Sequence, residues 1–272
     1  MFLLPLVLGI YEAQDGQPTE EFLADADEYM RRLEYRKAFY AVRPIQMRTI
    51  PIKKSIDIEH HIATYNQICT IVENAKGPFA AIKCICRQGE AMRNKPCVQT
   101  MRLETCLVIN DMAKMTLRRN NSREITREEA IEILQQNQDD GLVLQTANAQ
   151  EPDFICSCCG YCCGWLKFHK SLLRPTEFWT SSFYAEVDSE ACVSCGDCVS
   201  RCQVKALTLP DNGPVTVNLS RCIGCGLCVP NCSPSALWLK KKTSEMIPPK
   251  THEELYDKIQ EHRKLRQRKE VG

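Results

Sequence analysis

The strongest constraint on this chain is a short cysteine pattern written twice. Residues 192–207 read CVSCGDCVSRCQVKAL, and residues 222–237 read CIGCGLCVPNCSPSAL, thirty positions on and without a gap. Eight of the sixteen aligned positions are identical, and each copy has the spacing C-x2-C-x2-C-x3-C. Iron–sulfur chemistry explains that spacing. Three closely spaced thiolates wrap one corner of a cubane while the loop amides point at its sulfurs, and the fourth thiolate reaches the cluster held mainly by the other copy. Gly196 and Gly226 follow the second Cys of each copy, where the missing side chain lets the backbone approach closely. Zinc usually takes isolated C-x2-C pairs rather than this doubled run.

Cysteine is also the unusual entry in the composition of the 272 residues: 18 Cys outnumber the 12 Gly and the 14 Pro. Disulfide scaffolds of that density are usually below about 100 residues and secreted. Here the first ten residues, MFLLPLVLGI, are apolar but lack a basic flank, and they cover about half the roughly 20 residues of a membrane helix. The expected location is cytoplasmic, where clustered thiols usually hold metal. With 44% hydrophobic and 25% charged residues and a net charge of +1, the chain reads as globular. That charge gives no support for nucleic acid or an anionic membrane as partner. Neither GxGxxG nor GxxxxGK[ST] occurs, so no nucleotide loop is indicated.

Local signals divide the chain into an expected α+β arrangement, a mixed α/β domain over residues 1–150 and a second unit at 186–240. Phe22, Ala26, Tyr29, Met30 and Leu33 recur at helical spacing behind Thr19 as N-cap. Ile58, Ile62, Tyr65, Cys69 and Val72 predict a second helix, and residues 79–86 a buried strand after Gly77-Pro78. Thr126 and Glu129 form a capping box for a third helix that Gly141 closes, with a short strand over 142–145. Residues 151–185 are a cysteine-rich connector. Residues 207–209 and 215–217 flank Asp211-Asn212-Gly213 as a hairpin. The tail, 241–272, is a polar helix capped by Thr251 and Glu254; its basic run is read first as a solvated face.

At the doubled motif the chain resembles the bacterial-type ferredoxin domain with two [4Fe–4S] clusters. Carried over by position, the resemblance implies one cluster on Cys192, Cys195, Cys198 and Cys232, and another on Cys222, Cys225, Cys228 and Cys202. One departure is plain: the proline that usually follows the fourth Cys is Gln203 in one copy and Ser233 in the other.

Ten thiols remain. Cys69 lies on an apolar helical stripe and reads as a buried structural thiol. Cys84, Cys86, Cys97 and Cys106 form one group, and Cys156, Cys158, Cys159, Cys162 and Cys163 a second, in CSCCGYCC. On a strand, Cys84 and Cys86 would share a face, and Lys83 and Arg87 beside them would favour thiolate. Some subset of the nine is expected to hold a further metal centre, an iron–sulfur cluster first. Zinc, thiol–disulfide chemistry and plain structural thiols are the alternatives. The composite pattern, C-x-C…C…ETCL and then C-x-CCG-x-CC ahead of the dicluster motif, is similar to that of a group of iron–sulfur proteins from anaerobic bacteria and archaea.

The leading functional reading is an electron carrier or electron-transfer subunit that serves redox partner proteins. A second is a reductase whose active centre lies in the upstream thiols. A third is a redox sensor, although no basic recognition helix is present.

Overall fold

Alternation of side chains along the strands gives the central sheet two covered faces. The computed structural model describes residues 18–32, 34, 41–55, 63–243 and 247–271. Its sheet comprises β1 (Met47–Ile50), β2 (Phe79–Lys83), β3 (Glu104–Ile109), β4 (Arg123–Ile125), β5 (Val143–Ala147) and β6 (Phe154–Cys158), in the order β1-β5-β6-β3-β2-β4. All neighbours are antiparallel. On one face Phe79, Ala81, Leu107, Ile109 and Ile155 meet two helices, Ile68–Asn74 (α2) and Arg127–Asp139 (α5), through Ile68, Val72, Ala130 and Leu134. On the other, Ala80, Val108, Val143, Phe154 and Cys158 belong to a core shared with Trp165 and Leu166 of α6 (Gly164–Ser171) and with Cys198, Ile223 and Leu227 from the C-terminal part. The thiol-rich half of the molecule therefore covers one side of the sheet.

In that half, β7 (Phe183–Val187) pairs antiparallel with β10 (Leu237–Lys241), and these strands bracket both cysteine loops. β8 (Leu207–Thr208) and β9 (Thr216–Val217) form the expected hairpin, with Gly213 at φ +125° in its turn. Helices and antiparallel sheets together make the α+β class anticipated from the sequence.

Several end signals act as local chemistry requires. Thr19 accepts from the Phe22 amide at 3.1 Å to start α1 (Glu20–Arg31). Thr126 accepts from the Glu129 amide at 3.1 Å to start α5, and Gly141 ends it at φ +74°. The Glu129 carboxylate pairs with Arg123 at 2.8 Å. Thr251 caps the tail helix α8 (His252–Val271). That helix is anchored at its base, where Leu255 is fully buried and His252 meets Asp153 at 3.0 Å, while residues 260–266 are mostly exposed.

Two expectations change. The strand predicted over 79–86 ends at Lys83, and Ile85–Met92 is a helix, α3. The β2–β3 ladder shifts register between Ile82 and Lys83. The Cys84 amide then donates to the Leu103 carbonyl while its own carbonyl accepts from the Arg87 and Gln88 amides, so the backbone turns into α3. The second helix is shorter than its apolar spacing suggested: Tyr65 lies in a 3-10 turn, Thr64–Asn66, ahead of α2. Ile58, Ile62, Leu33 and the apolar residues 1–10 lie outside the described residues. Among the described residues no helix is long and apolar enough to cross a membrane.

Candidate metal centres

The two C-terminal loops exchange their last cysteines. Cys192, Cys195, Cys198 and Cys232 line one surface cavity together with Gly196, Val215 and Ala236, and Cys198 interacts with the other three thiols. In the second set Cys222, Cys225 and Cys228 each interact with Cys202. Backbone amides point at sulfur as well: Ala185 N–H donates to Cys222 Sγ at 3.3 Å, and Ala206 N–H to Cys202 Sγ at 3.1 Å. Gly224, at φ +61°, has no room for a side chain, because a Cβ there would lie 2.2 Å from the Phe183 carbonyl oxygen. Burial pushes the Cys225 thiol up to about 12 and raises Cys222 and Cys228 too. A bound cation offsets that cost, since the metal takes up the thiolate charge. Four convergent soft donors with amides aimed at sulfur fit iron–sulfur ligation.

All nine upstream thiols gather, in two groups. Six form a closed circuit of side-chain interactions: Cys84 with Cys86 and Cys106, Cys106 with Cys156, Cys156 with Cys158, Cys158 with Cys163, and Cys163 with Cys86. Register explains half of it. Leu107 lies opposite Ile155 in the β3–β6 ladder, which sets Cys106 beside Cys156; Cys158 follows on the same face of β6. Cys84 is the N-cap of α3 and Cys86 lies in its first turn, while Cys163 is the N-cap of α6. The Cys106 thiol is held well below its ordinary range by its contacts with Cys156 and Cys84. Cys84 is pushed up to about 12, chiefly through Cys106.

The second group is Cys97, Cys159 and Cys162, whose sulfurs all lie within 4.8 Å of one another. Cys159 and Cys162 are buried and Cys97 partly so. Cys69 stands apart, half-buried beside the core under α2 and α5, and burial raises its pKa.

Arg87 joins the two groups. Its residue is only 2% exposed, its guanidinium donates to Thr105 Oγ1 and to the Ser157 carbonyl at 3.0 Å, and its Nε has no partner. Burial opposes its charge, but Cys84, Cys106, Cys159 and Cys97 outweigh burial and raise its pKa. A buried guanidinium needs nearby negative charge, and the groups that interact with this one are the side chains of Cys84, Cys106, Cys159 and Cys97. Asn137 braces the site, donating to the Thr105 carbonyl and to Ser157 Oγ, each at 2.8 Å. Lys83, which the sequence placed beside the thiols with Arg87, is exposed.

Cys156 and Cys158 are the thiols that share a strand face, whereas Cys84 and Cys86 reach the circuit from a helix start. Arg87, which directly follows Cys86, was placed beside the thiols by the sequence, whereas Asn137 carries no motif.

Two four-thiol loops whose fourth cysteines are exchanged fit an iron–sulfur, ferredoxin-like domain. Residues 185–233 match the family model of the 4Fe-4S dicluster domain. Neither the curated proteins nor the solved structures compared with the chain gave a match. The C-terminal domain is thus of the 4Fe–4S ferredoxin type, and its cysteines support an iron–sulfur electron-transfer role.

Proposed function

We propose that the chain is an internal electron relay with two [4Fe–4S] clusters in the C-terminal domain and a further iron–sulfur centre on the six-thiol circuit. The clusters would take Cys192, Cys195, Cys198 and Cys232 at one site, and Cys222, Cys225, Cys228 and Cys202 at the other. When bound, such clusters take up and release single electrons. The supporting observation is a gradient of exposure. Cys195 is exposed, whereas Cys222 and Cys228 are buried where the C-terminal domain meets the sheet, with the Cys225 carbonyl accepting from the Ile52 amide at 3.0 Å. Electrons would enter from a partner protein near Cys195 and pass inward. Arg87 would balance the negative charge of the upstream centre.

Iron and sulfide analysis with EPR on anaerobically prepared protein tests the relay. About twelve irons per chain are expected, falling to about eight in Cys84→Ser/Cys106→Ser with the ferredoxin-type signals unchanged. Eight irons in both proteins would remove the upstream cluster. The six thiols exceed the four that a cubane needs, which favours a reductase as the second reading. Disulfide reduction driven by a low-potential donor, lost in the same variant, would support it.

A further inference from the structure

We propose that Cys97, Cys159 and Cys162 form a separate mononuclear site for a thiophilic divalent cation of the zinc class, with the fourth position left to water or an exogenous ligand. This site stands beside the six-thiol circuit and does not depend on the circuit holding iron.

Tetrahedral thiolate coordination at about 2.3 Å sets ligand sulfurs about 3.8 Å apart. Here Cys97 Sγ and Cys159 Sγ are 3.5 Å apart, and all three sulfurs fall within 4.8 Å. Among the described residues this is the one group of three metal-ligating side chains so tightly drawn together. The ferredoxin-type thiols and the six-thiol circuit are more widely spread, as ligands around a multi-iron cluster must be.

Backbone amides approach two of the three sulfurs. The Cys162 amide points at Cys159 Sγ at 3.4 Å across the C-x2-C turn, and the backbone of Gln99 and Thr100 lies close to the Cys97 thiol. Arg87 adds a buried positive charge facing Cys97 and Cys159.

Outer contacts hold the turns in place, as metal sites require. Gly160 N–H donates to Gln203 Oε1 at 2.8 Å, Gln203 Nε2 donates to Gln99 Oε1 at 3.1 Å, and Gln99 Nε2 donates to the Asp140 carbonyl at 2.7 Å. A Cβ on Gly160 would meet the Gln203 carbonyl oxygen at 2.3 Å. Gln203, which stands where the dicluster pattern usually has proline, thus links the ferredoxin-type domain to this site. No fourth His, Cys, Asp or Glu joins the group among the described residues. Three protein ligands with one open position are the arrangement of reactive zinc sites rather than closed structural ones.

Metal analysis of the anaerobically prepared full chain tests the proposal, using Cys97→Ser and Cys162→Ser as separate variants. About one zinc per chain is expected in the parent protein and none in either variant, with iron content and EPR signals unchanged. Replacement of zinc by cobalt(II) should give thiolate-to-cobalt charge-transfer absorption that Cys97→Ser abolishes. Unchanged EPR of the C-terminal domain shows that the variants fold. Loss of iron instead of zinc in Cys97→Ser would assign these thiols to a cluster and overturn the proposal. So would a parent protein without zinc that shows no cobalt–thiolate absorption on reconstitution, or zinc retained in both variants.

Discussion

The two cysteine loops have the same spacing and opposite surroundings. In the first, Val193, Ser194, Cys195 and Asp197 are exposed and only Cys198 is buried; in the second, Cys222, Ile223, Gly224, Gly226, Leu227 and Cys228 are all buried. Gly196 and Gly226 share the same left-handed backbone, at φ +81° and +78°. A Cβ on Gly196 would meet only Leu209 Cδ2 at 3.4 Å, whereas one on Gly226 would run into Ser55 Oγ at 2.0 Å. The residue after the fourth Cys follows the same rule: Gln203 is buried between domains, and Ser233 is exposed. Ligand geometry is thus a local property of each loop, while desolvation is imposed by whatever packs outside it. Because cluster potential depends on solvent exposure and hydrogen bonds to sulfur, clusters bound at the two motifs would have different redox surroundings.

Paired substitutions at matching positions test that difference. The largest effect is expected at Ile223, which is 1% exposed against 66% for its counterpart Val193. Ile223→Ala should cost about 2–5 kcal/mol, and Val193→Ala no more than about 0.5 kcal/mol, read from anaerobic thermal or denaturant unfolding. Equal losses would mean that the loops are equally packed.

Next comes glycine. Both Gly→Ala changes carry the strain of a positive φ, roughly 1–2 kcal/mol. Gly226→Ala adds an overpacking cost of about 1–3 kcal/mol that Gly196→Ala escapes. Adding Ser55→Gly to Gly226→Ala should recover most of that extra loss, and no recovery would show that Ser55 is not the obstacle.

Gln203→Ala leaves the Gly160 amide and Gln99 without their partner, for a loss of about 1–3 kcal/mol. Ser233→Ala should be neutral within about 0.5 kcal/mol. The Gln203 variant should also loosen the Cys97–Cys159–Cys162 turns, seen as faster zinc exchange.

The smallest and most kinetic difference concerns access. Iron loss to a chelator or to oxygen should be biphasic, with the faster phase assigned to the loop of exposed Cys195 by its selective alteration in Cys195→Ser. A single phase in the parent protein would contradict unequal exposure.

Much of this molecule could be read one short window at a time. Thr19, Thr126, Gly141 and Thr251 end or begin helices through contacts within a few residues, and the 207–217 hairpin turns at its glycine. The upstream site resisted such reading because its parts are far apart in the chain. Cys106 and Cys156 are neighbours through β3–β6 register, and Cys97 meets Cys159 only after α3 and the loop to β3 have been laid against the sheet. Residues 84–86 misled the strand reading because a short apolar run fits a strand and a helix start equally well. The register shift after Ile82 decided between them.

Sequence alone determined that this chain carries a doubled cysteine motif of the 4Fe–4S type, since the spacing of four thiols is a chemical statement needing no distant partner. Tertiary structure decided which loop is dry, which thiols close into a circuit, which three draw within reach of a single ion, and that Arg87 lies among them. The reason is physical: ligand spacing along a loop is set by covalent geometry over a few residues, whereas burial, charge compensation and convergence are set by strands and helices brought together from across the chain.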